Sequence, residues 1–425
     1  MDNRSKPSSV RWLVFGIIFI LVVINMMDRI CLSIAMPTIA KEFALSPTMQ
    51  GLVLSSFFWA YALLQVPGGF LIDKYGPRKL VTASTLFWGV FQTIAGFSTG
   101  GLFLFATRLG LGAAEAPLFP AGGKLNSTWL SAKERGRGAV LMDSGGPLGV
   151  ALGGIIIAYL IAAIGSWRIV FVLAGLFTIV FSYVAWKYLR DTPKEHSQVN
   201  QAELALIESQ NIEANVINNA TSQLSDKQQK VPVNSMVAIM FGRISWAMIN
   251  FGLLTWGPSY LAHARGFNLK EIGSATFIIF ISGALGSLCC GFLADFLVKK
   301  GYRQSAVLKV LLSFSGLVMV GAFLLLPTLS DPIIAILVLS IAAFFLMWGS
   351  LYWCFPALLA PKNKVGIVGG TMNMAGSIGG IIVSLLVGLI IQMTGDYDNV
   401  LMFFSSCAIV FVLGTVLIRF NYKNS

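Results

Sequence analysis

Gly69-Phe70-Leu71-Ile72-Asp73-Lys74-Tyr75-Gly76-Pro77-Arg78-Lys79 closes one long apolar stretch and opens the next. Gly291-Phe292-Leu293-Ala294-Asp295 repeats its Gly, Phe, Leu and Asp, and Lys299, Lys300 and Arg303 repeat the basic residues that follow. The same motif at the same place in each half of a chain marks a duplicated unit. Here each copy has room for six helical crossings. Two such units read as two six-helix bundles related by an axis along the membrane normal.

The composition supports that reading. Of 425 residues, 56% are hydrophobic and 11% charged, whereas about a quarter of a soluble domain is charged. No water-soluble fold of this size could hide so much apolar surface, so lipid is the expected solvent. A hydrocarbon layer of about 30 Å takes about 20 helical residues. On that measure spans are expected near 12–37, 50–72, 80–98, 101–124, 138–162 and 166–188, then 236–261, 272–297, 305–327, 332–357, 366–393 and 399–418. The expected organisation is an all-α membrane protein with bundles at 1–189 and 236–425, joined by a polar linker at 190–235. A short surface helix is expected around Ala202–Ile212 in that linker.

The net charge of +12 is spread in short basic runs between apolar stretches, which excludes a nucleic-acid surface and fits cytoplasmic loops. The opposite loops hold only Lys41, Arg168, Arg265 and Lys270. Both termini are therefore expected in the cytoplasm. The sequons at Asn126 and Asn219 then face the wrong side for glycosylation. The first apolar run contains Asp28 and Arg29 and lacks a cleavage pattern, so it reads as a span and not a signal peptide. Cys31, Cys289, Cys290, Cys354 and Cys407 sit in apolar segments without metal-type spacing and read as reduced packing residues. His196 and His263 have no partners for a metal site. Gly122-Gly123-Lys124 runs into Leu125 where a phosphate-binding loop needs Ser or Thr. No nucleophile–base set appears, so no enzyme, cofactor or metal is expected.

Charges at bilayer depth cost at least about 2.5–3.5 kcal/mol each, so they persist where they are paired or used. Asp28 and Arg29 are adjacent, hence about 100° apart on a helix, and each needs a partner elsewhere. They read either as an interhelical ion pair or as a proton site beside an anion anchor. Arg108 and Glu115 lie seven residues apart, on one face about 10.5 Å from each other. That face is expected to be wet, offering a cation and a titratable carboxyl, with Pro117 and Pro120 loosening the helix beside it. Lys124 is expected to snorkel to the cytoplasmic surface; Arg243 reads as a snorkelling or a functional cation, and Asp143, near a helix end, as a solvated cap or a functional group. Tyr61 and Gln65, one turn apart, with Trp353 and Asn373, add polar and aromatic candidates. Glycines at 145, 146 and 149, and at 369, 370, 376, 379 and 380, favour close, rocking helix contacts.

The Gly-x-Leu-x-Asp-x-x-Gly-x-Arg-Lys loop, the twelve spans and the central linker resemble the major facilitator superfamily. That resemblance implies alternating access around a midplane cavity, with Asp73, Arg78 and Asp295 in loops that latch the cytoplasmic side. Within it the chain is similar to the anion:cation symporter branch. The matching residues are Asp28-Arg29, Tyr61 with Gln65, Arg108 through Glu115-Ala116-Pro117, Phe119-Pro120, Trp353 and Asn373. The resemblance implies Asp28 and Glu115 as protonation sites, and Arg29, Tyr61, Gln65, Arg108, Trp353 and Asn373 as substrate contacts. Two departures stand out. Galactonate-type members carry Tyr where this chain has Met26, and Gln where it has Gly146. Both changes remove hydroxyl-binding groups and leave room for a larger or more apolar carboxylate.

The expected function is proton-coupled symport of a small organic anion, such as a sugar acid, by a monomer in a bacterial inner membrane. Protons are the coupling ion. A proton-coupled exporter of drug-like compounds is the rival, faintly suggested by Gly146-Pro147-x-Gly149, although Arg29 and Arg108 favour anions over cationic drugs. A sensor that binds solute without flux is the rival of another class, and the chain has no signalling domain to support it.

Overall fold

A computed structural model describes residues 6–131, 134–209, 233–359 and 365–419. Among them are twelve long helices: α1 Val10–Glu42, α2 Pro47–Tyr75, α3 Pro77–Ala95, α4 Gly101–Trp129, α5 Arg135–Ile164, α6 Trp167–Tyr188, α7 Val233–His263, α8 Leu269–Lys299, α9 Gln304–Thr328, α10 Pro332–Cys354, α11 Val365–Thr394 and α12 Asp398–Leu417. Eleven are long and apolar enough to cross a bilayer, and α3, at 19 residues, is the exception. In lipid a segment must satisfy its own backbone polar groups, and a helix does so without a neighbour. The protein is therefore a multi-pass membrane bundle. Most helices outrun the expected spans by a few residues at one or both ends, because their capped ends reach past the apolar core.

Those ends are set by short-range chemistry. Ser46 and Ser166 accept hydrogen bonds from the backbone N–H groups of Met49 and Ile169. Asn268 and Glu271 form a reciprocal box at the start of α8. The turn between α2 and α3 needs Gly76, whose φ of 86° lies in the region that side chains disfavour, and Pro77 then starts α3. α4 breaks as expected: regular helix stops at Glu115 and resumes at Leu118, after Pro117. The last eight residues of α10, Met347–Cys354, tighten into a 3₁₀ helix that carries Trp348 and Trp353.

The halves meet tightly at the end away from the termini. A Cβ on Gly51 of α2 would stand 2.5 Å from the Ser384 carbonyl oxygen of α11, and one on Gly388 would stand 2.6 Å from that of Pro47. Across the other seam, a Cβ on Gly154 of α5 would stand 2.6 Å from the Thr276 side chain of α8. Thr48 donates to Gln392 over the first seam at 3.4 Å. Toward the termini the helices splay, and a cavity of 830 Å³ opens between α5 and α8, with α1, α4 and α10 completing its wall.

The first part of the linker lies against the first half. Trp129 donates its indole N–H to the Arg190 carbonyl at 3.0 Å, and Asp191 accepts from the Arg78 N–H at 2.7 Å. Residues 201–209 form a helix, close to the expected start. Its Glu203, fully buried, accepts from the Arg11 guanidinium at 2.8 Å. The remainder of the expected linker helix lies outside the described residues.

Candidate functional site

Four charged residues are buried in the core of the first half, and only two of them, Arg29 and Glu115, pair with each other. Asp28 and Arg29 point apart, as their adjacency requires. Asp28 turns into the interior of its own half, where Oδ2 accepts from the Trp88 indole of α3 and the Thr178 hydroxyl of α6, each at 3.0 Å. Arg29 turns the other way, and its Nε donates to Glu115 Oε2 at 2.9 Å. Its guanidinium lies over the rings of Phe57 and Tyr61 on α2, 4.3 and 4.7 Å from their centroids. Glu115 is fully buried at the break in α4, where the turn of helix that would have followed is interrupted.

Arg108 does not pair with Glu115, although the two share a helix face. Its Nη1 donates to the Asp28 carbonyl at 3.2 Å, and the Phe171 ring lies 5.7 Å away. The expectation of a wet face is not met in this conformation, because Arg108 is 2% exposed and Glu115 fully buried. Arg29 and Arg108 instead border a void of about 20 Å³ shared with Leu254 and Thr255 of α7. The two arginines thus reach the boundary between the halves, while Asp28 stays behind them.

Tyr61 and Gln65 lie on the same face of α2. Gln65 Oε1 accepts from Asn373 Nδ2 on α11 at 2.9 Å, so these two candidates join the halves directly. Trp353 is half-exposed on the wall of the large cavity, as is Asp295 of the repeated motif. None of Asp28, Arg29, Arg108 or Glu115 lines that cavity.

Lys124 reaches the surface as expected, and its ammonium meets Asp73 there at 2.9 Å. Two sequence expectations need correction. Arg243 does not reach the surface: it is 6% exposed and packed between aromatic rings. Asp143 is not at a helix end but two turns into α5, lining the cavity. The Asp73 loop is tied to its own half, with Arg78 donating to the Trp186 carbonyl at 3.0 Å and stacking on its ring at 4.1 Å. The α10–α11 connection, residues 360–364, lies outside the described residues. Sequence reading did not find Trp88, Thr178 and Trp246 as partners of charged groups. Only the Arg243-Ile-Ser-Trp246 spacing, one helical turn, held a clue.

Twelve helices in two halves, sealed at one end around buried charges, define a membrane carrier. The model of the Major Facilitator Superfamily matches residues 18–384, and the chain belongs to that family. It is 28% identical over 98% of its length to the probable galactarate/D-glucarate transporter of Escherichia coli (strain K12), covering 97% of that protein. It is 30% identical over 99% of its length to the D-galactonate transporter of Escherichia coli O6:H1, covering 98% of it. The solved xylose transporter of E. coli, in an inward-open conformation, superposes with a TM-score of 0.75 at 14% identity, covering 98% of each chain. The protein is a transporter of the superfamily and not an enzyme.

Proposed function

We propose that the protein takes up a small organic anion together with protons by alternating access. The observation that carries this reading is the buried Arg29–Glu115 pair at the boundary of the halves. A carboxylate held this way releases its arginine when it is protonated, and the freed guanidinium can take the carboxylate of a substrate. Asp28 is the second proton site. Arg29, Arg108, Tyr61, Gln65, Trp353 and Asn373 are the substrate contacts, and Asp73, Arg78 and Asp295 the gating residues. The names of relatives that carry sugar acids support an acidic substrate.

The termini face the cytoplasm of a bacterial inner membrane in this reading, so the sealed seams lie outside and the 830 Å³ cavity opens inward. Protons bind from outside, neutralise the buried carboxylates and lower the cost of closing the halves around substrate. Inside, their release restores the Arg29–Glu115 pair and expels the anion. Two protons with a monoanion carry net positive charge inward, worth about 2.3 kcal/mol per 100 mV. The carrier works as a monomer. Proteoliposomes holding the protein, with an imposed inside-alkaline gradient and labelled D-galactonate or D-glucarate, test this. Gradient-driven accumulation is expected in the native protein and is expected to vanish in Glu115→Gln, which should still exchange substrate at equal pH. Accumulation by Glu115→Gln at the native level would remove Glu115 from the coupling.

A further inference from the structure

Arg243, near the start of α7, is a buried charge that the site above does not use. Its Nε and Nη1 have no hydrogen-bond partner among the described residues. No ion pair there includes it. The guanidinium lies between two indoles, 4.2 Å from the Trp246 ring and 5.2 Å from that of Trp353. Trp246 is fixed by its own bond to the Leu346 carbonyl at 2.6 Å. Gly376 of α11 leaves space beside the fork, where a Cβ would come 3.7 Å from Nε. Ring faces hold a guanidinium in place but do not satisfy its N–H groups. A cation taken out of water without a counter-charge is strongly disfavoured, so a position that keeps one implies an anion that arrives.

The nearby groups narrow what arrives. Tyr352, the neighbouring phenol, is already bonded to Thr415 at 2.8 Å. A carboxylate, Asp143 on α5 of the opposite half, lies on the wall of the large cavity that Trp353 also lines. Trp353 presents its ring to Arg243 and, partly exposed, also lines the cavity. The wall is mostly apolar, with Phe119, Met142, Leu285, Leu288 and Phe292, and short polar side chains, Ser144, Ser287 and Ser350, between them. Such a wall offers a polyol chain few partners and suits an apolar body.

We propose that Arg243 anchors the carboxylate of an organic acid with an apolar or aromatic body, that Trp353 covers that body, and that Asp143 is the resident counter-ion the acid displaces. This rests on the organic-anion reading above and names the class of anion. In the empty carrier Asp143 weakly balances Arg243 across the open cleft. A bound carboxylate takes over that role at shorter range, and Asp143 then repels it.

Quenching of intrinsic tryptophan fluorescence in the purified full-length protein reads the site, since Trp246 and Trp353 flank it. Benzoate is expected to quench, and its neutral isostere benzamide is not. Arg243→Gln is expected to weaken benzoate at least tenfold, and Asp143→Asn to tighten it severalfold, opposite shifts that a purely structural role would not produce. Equal affinity in Arg243→Gln, equal quenching by benzamide, or no tightening in Asp143→Asn would each overturn the assignment. The last is read in a protein with Arg243 intact, and so decides the matter even where Arg243→Gln does not fold. Proton-driven accumulation of D-glucarate without benzoate binding would overturn it too, while leaving the symport reading in place.

Discussion

The two halves of the carrier treat buried charge in opposite ways. In the first half, Arg29 has Glu115, Asp28 has an indole and a hydroxyl, and Arg108 reaches the Asp28 carbonyl. The group holds two carboxylates and two guanidiniums, of which Arg29 and Glu115 are in direct contact. In the second half, Arg243 stands between ring faces with no carboxylate in contact among the described residues. The contrast teaches that burial alone does not mark a functional charge. Among the described residues, orphaned N–H groups occur in both halves, on Arg29 Nη2 and Arg108 Nε and Nη2 as on Arg243 Nε and Nη1. What differs is the carboxylate: a set that holds its own can switch internally, by moving a proton, whereas a cation with none in contact is completed from outside.

The strongest way to break this comparison is to remove one partner from each half. Glu115→Ala leaves Arg29 buried without its counter-charge, and a change of that kind costs about 3–5 kcal/mol. Arg243→Met removes a cation that has no carboxylate in contact among the described residues, only Asp143 across the open cleft, and keeps an unbranched apolar chain in the slot. It is expected to leave stability unchanged or to raise it. Chemical unfolding in detergent, followed by tryptophan fluorescence, checks both. Equal losses in the two variants would mean that Arg243 has a structural partner and would erase the distinction between the halves.

A second test uses the seam that holds the halves together at the sealed end. Gly51→Val places methyl groups where the Ser384 carbonyl oxygen already stands 2.5 Å from a Cβ. The backbone of α11 cannot yield as a flexible side chain would, so the seam should open by a fraction of an ångström to several. Spin labels at Thr48→Cys and Gln392→Cys, both exposed and now hydrogen-bonded across the seam, report the separation. A longer distance in Gly51→Val is expected, with substrate binding weakened because the sealed conformation is less populated. An unchanged distribution would show that the close approach is not what seals this end.

Much of the fold was legible because lipid imposes a simple rule: apolar runs of about twenty residues become helices. The repeated Gly-Phe-Leu-x-Asp motif then supplied the symmetry. The break at Pro117 was legible too, since proline acts on its own helix. Partners were less so. That Glu115 would take Arg29, and not Arg108 on its own face, depends on how α1 packs against α4, and no local pattern encodes that. Arg243 was misread for a related reason. Its distance from the helix start fits a snorkelling side chain, and only the packing of α10, which brings Trp353 alongside, shows the route outward to be closed.

A smaller effect is expected at the base of the first half, beside the start of α1, where Glu134 holds Arg11. Burial raises the Glu134 carboxyl, but hydrogen bonds from Arg11 and Ser131 outweigh it and leave it below its ordinary value of 4.5. A carboxyl depressed in the folded state stabilises it above the unfolded value, and that contribution fades as pH falls through the lower folded one. The native protein is therefore expected to lose this contribution only below about pH 4.5, and Glu134→Gln to lack it at every pH. Thermal unfolding from pH 4 to 7 should show the gap between native and variant closing at the acid end. A gap that widens there would reverse the assigned sign.

The smallest effect is expected at the pair that looks most like the largest. Lys124–Asp73 and Arg29–Glu115 are both 2.9 Å long. The first has side chains 46% and 67% exposed, the second 6% and 0%. Water and salt screen the exposed pair, and holding two long side chains in register costs entropy, so such contacts contribute about 0–1 kcal/mol. Lys124→Ala is expected to fall in that range, and its effect to shrink further in high salt, whereas the loss in Glu115→Ala should be insensitive to salt. Unfolding free energies at low and high sodium chloride decide it. A salt-independent loss in Lys124→Ala comparable to that in Glu115→Ala would mean that the Asp73 loop is held in a dry environment, and that bond length, not burial, governs charge in this carrier.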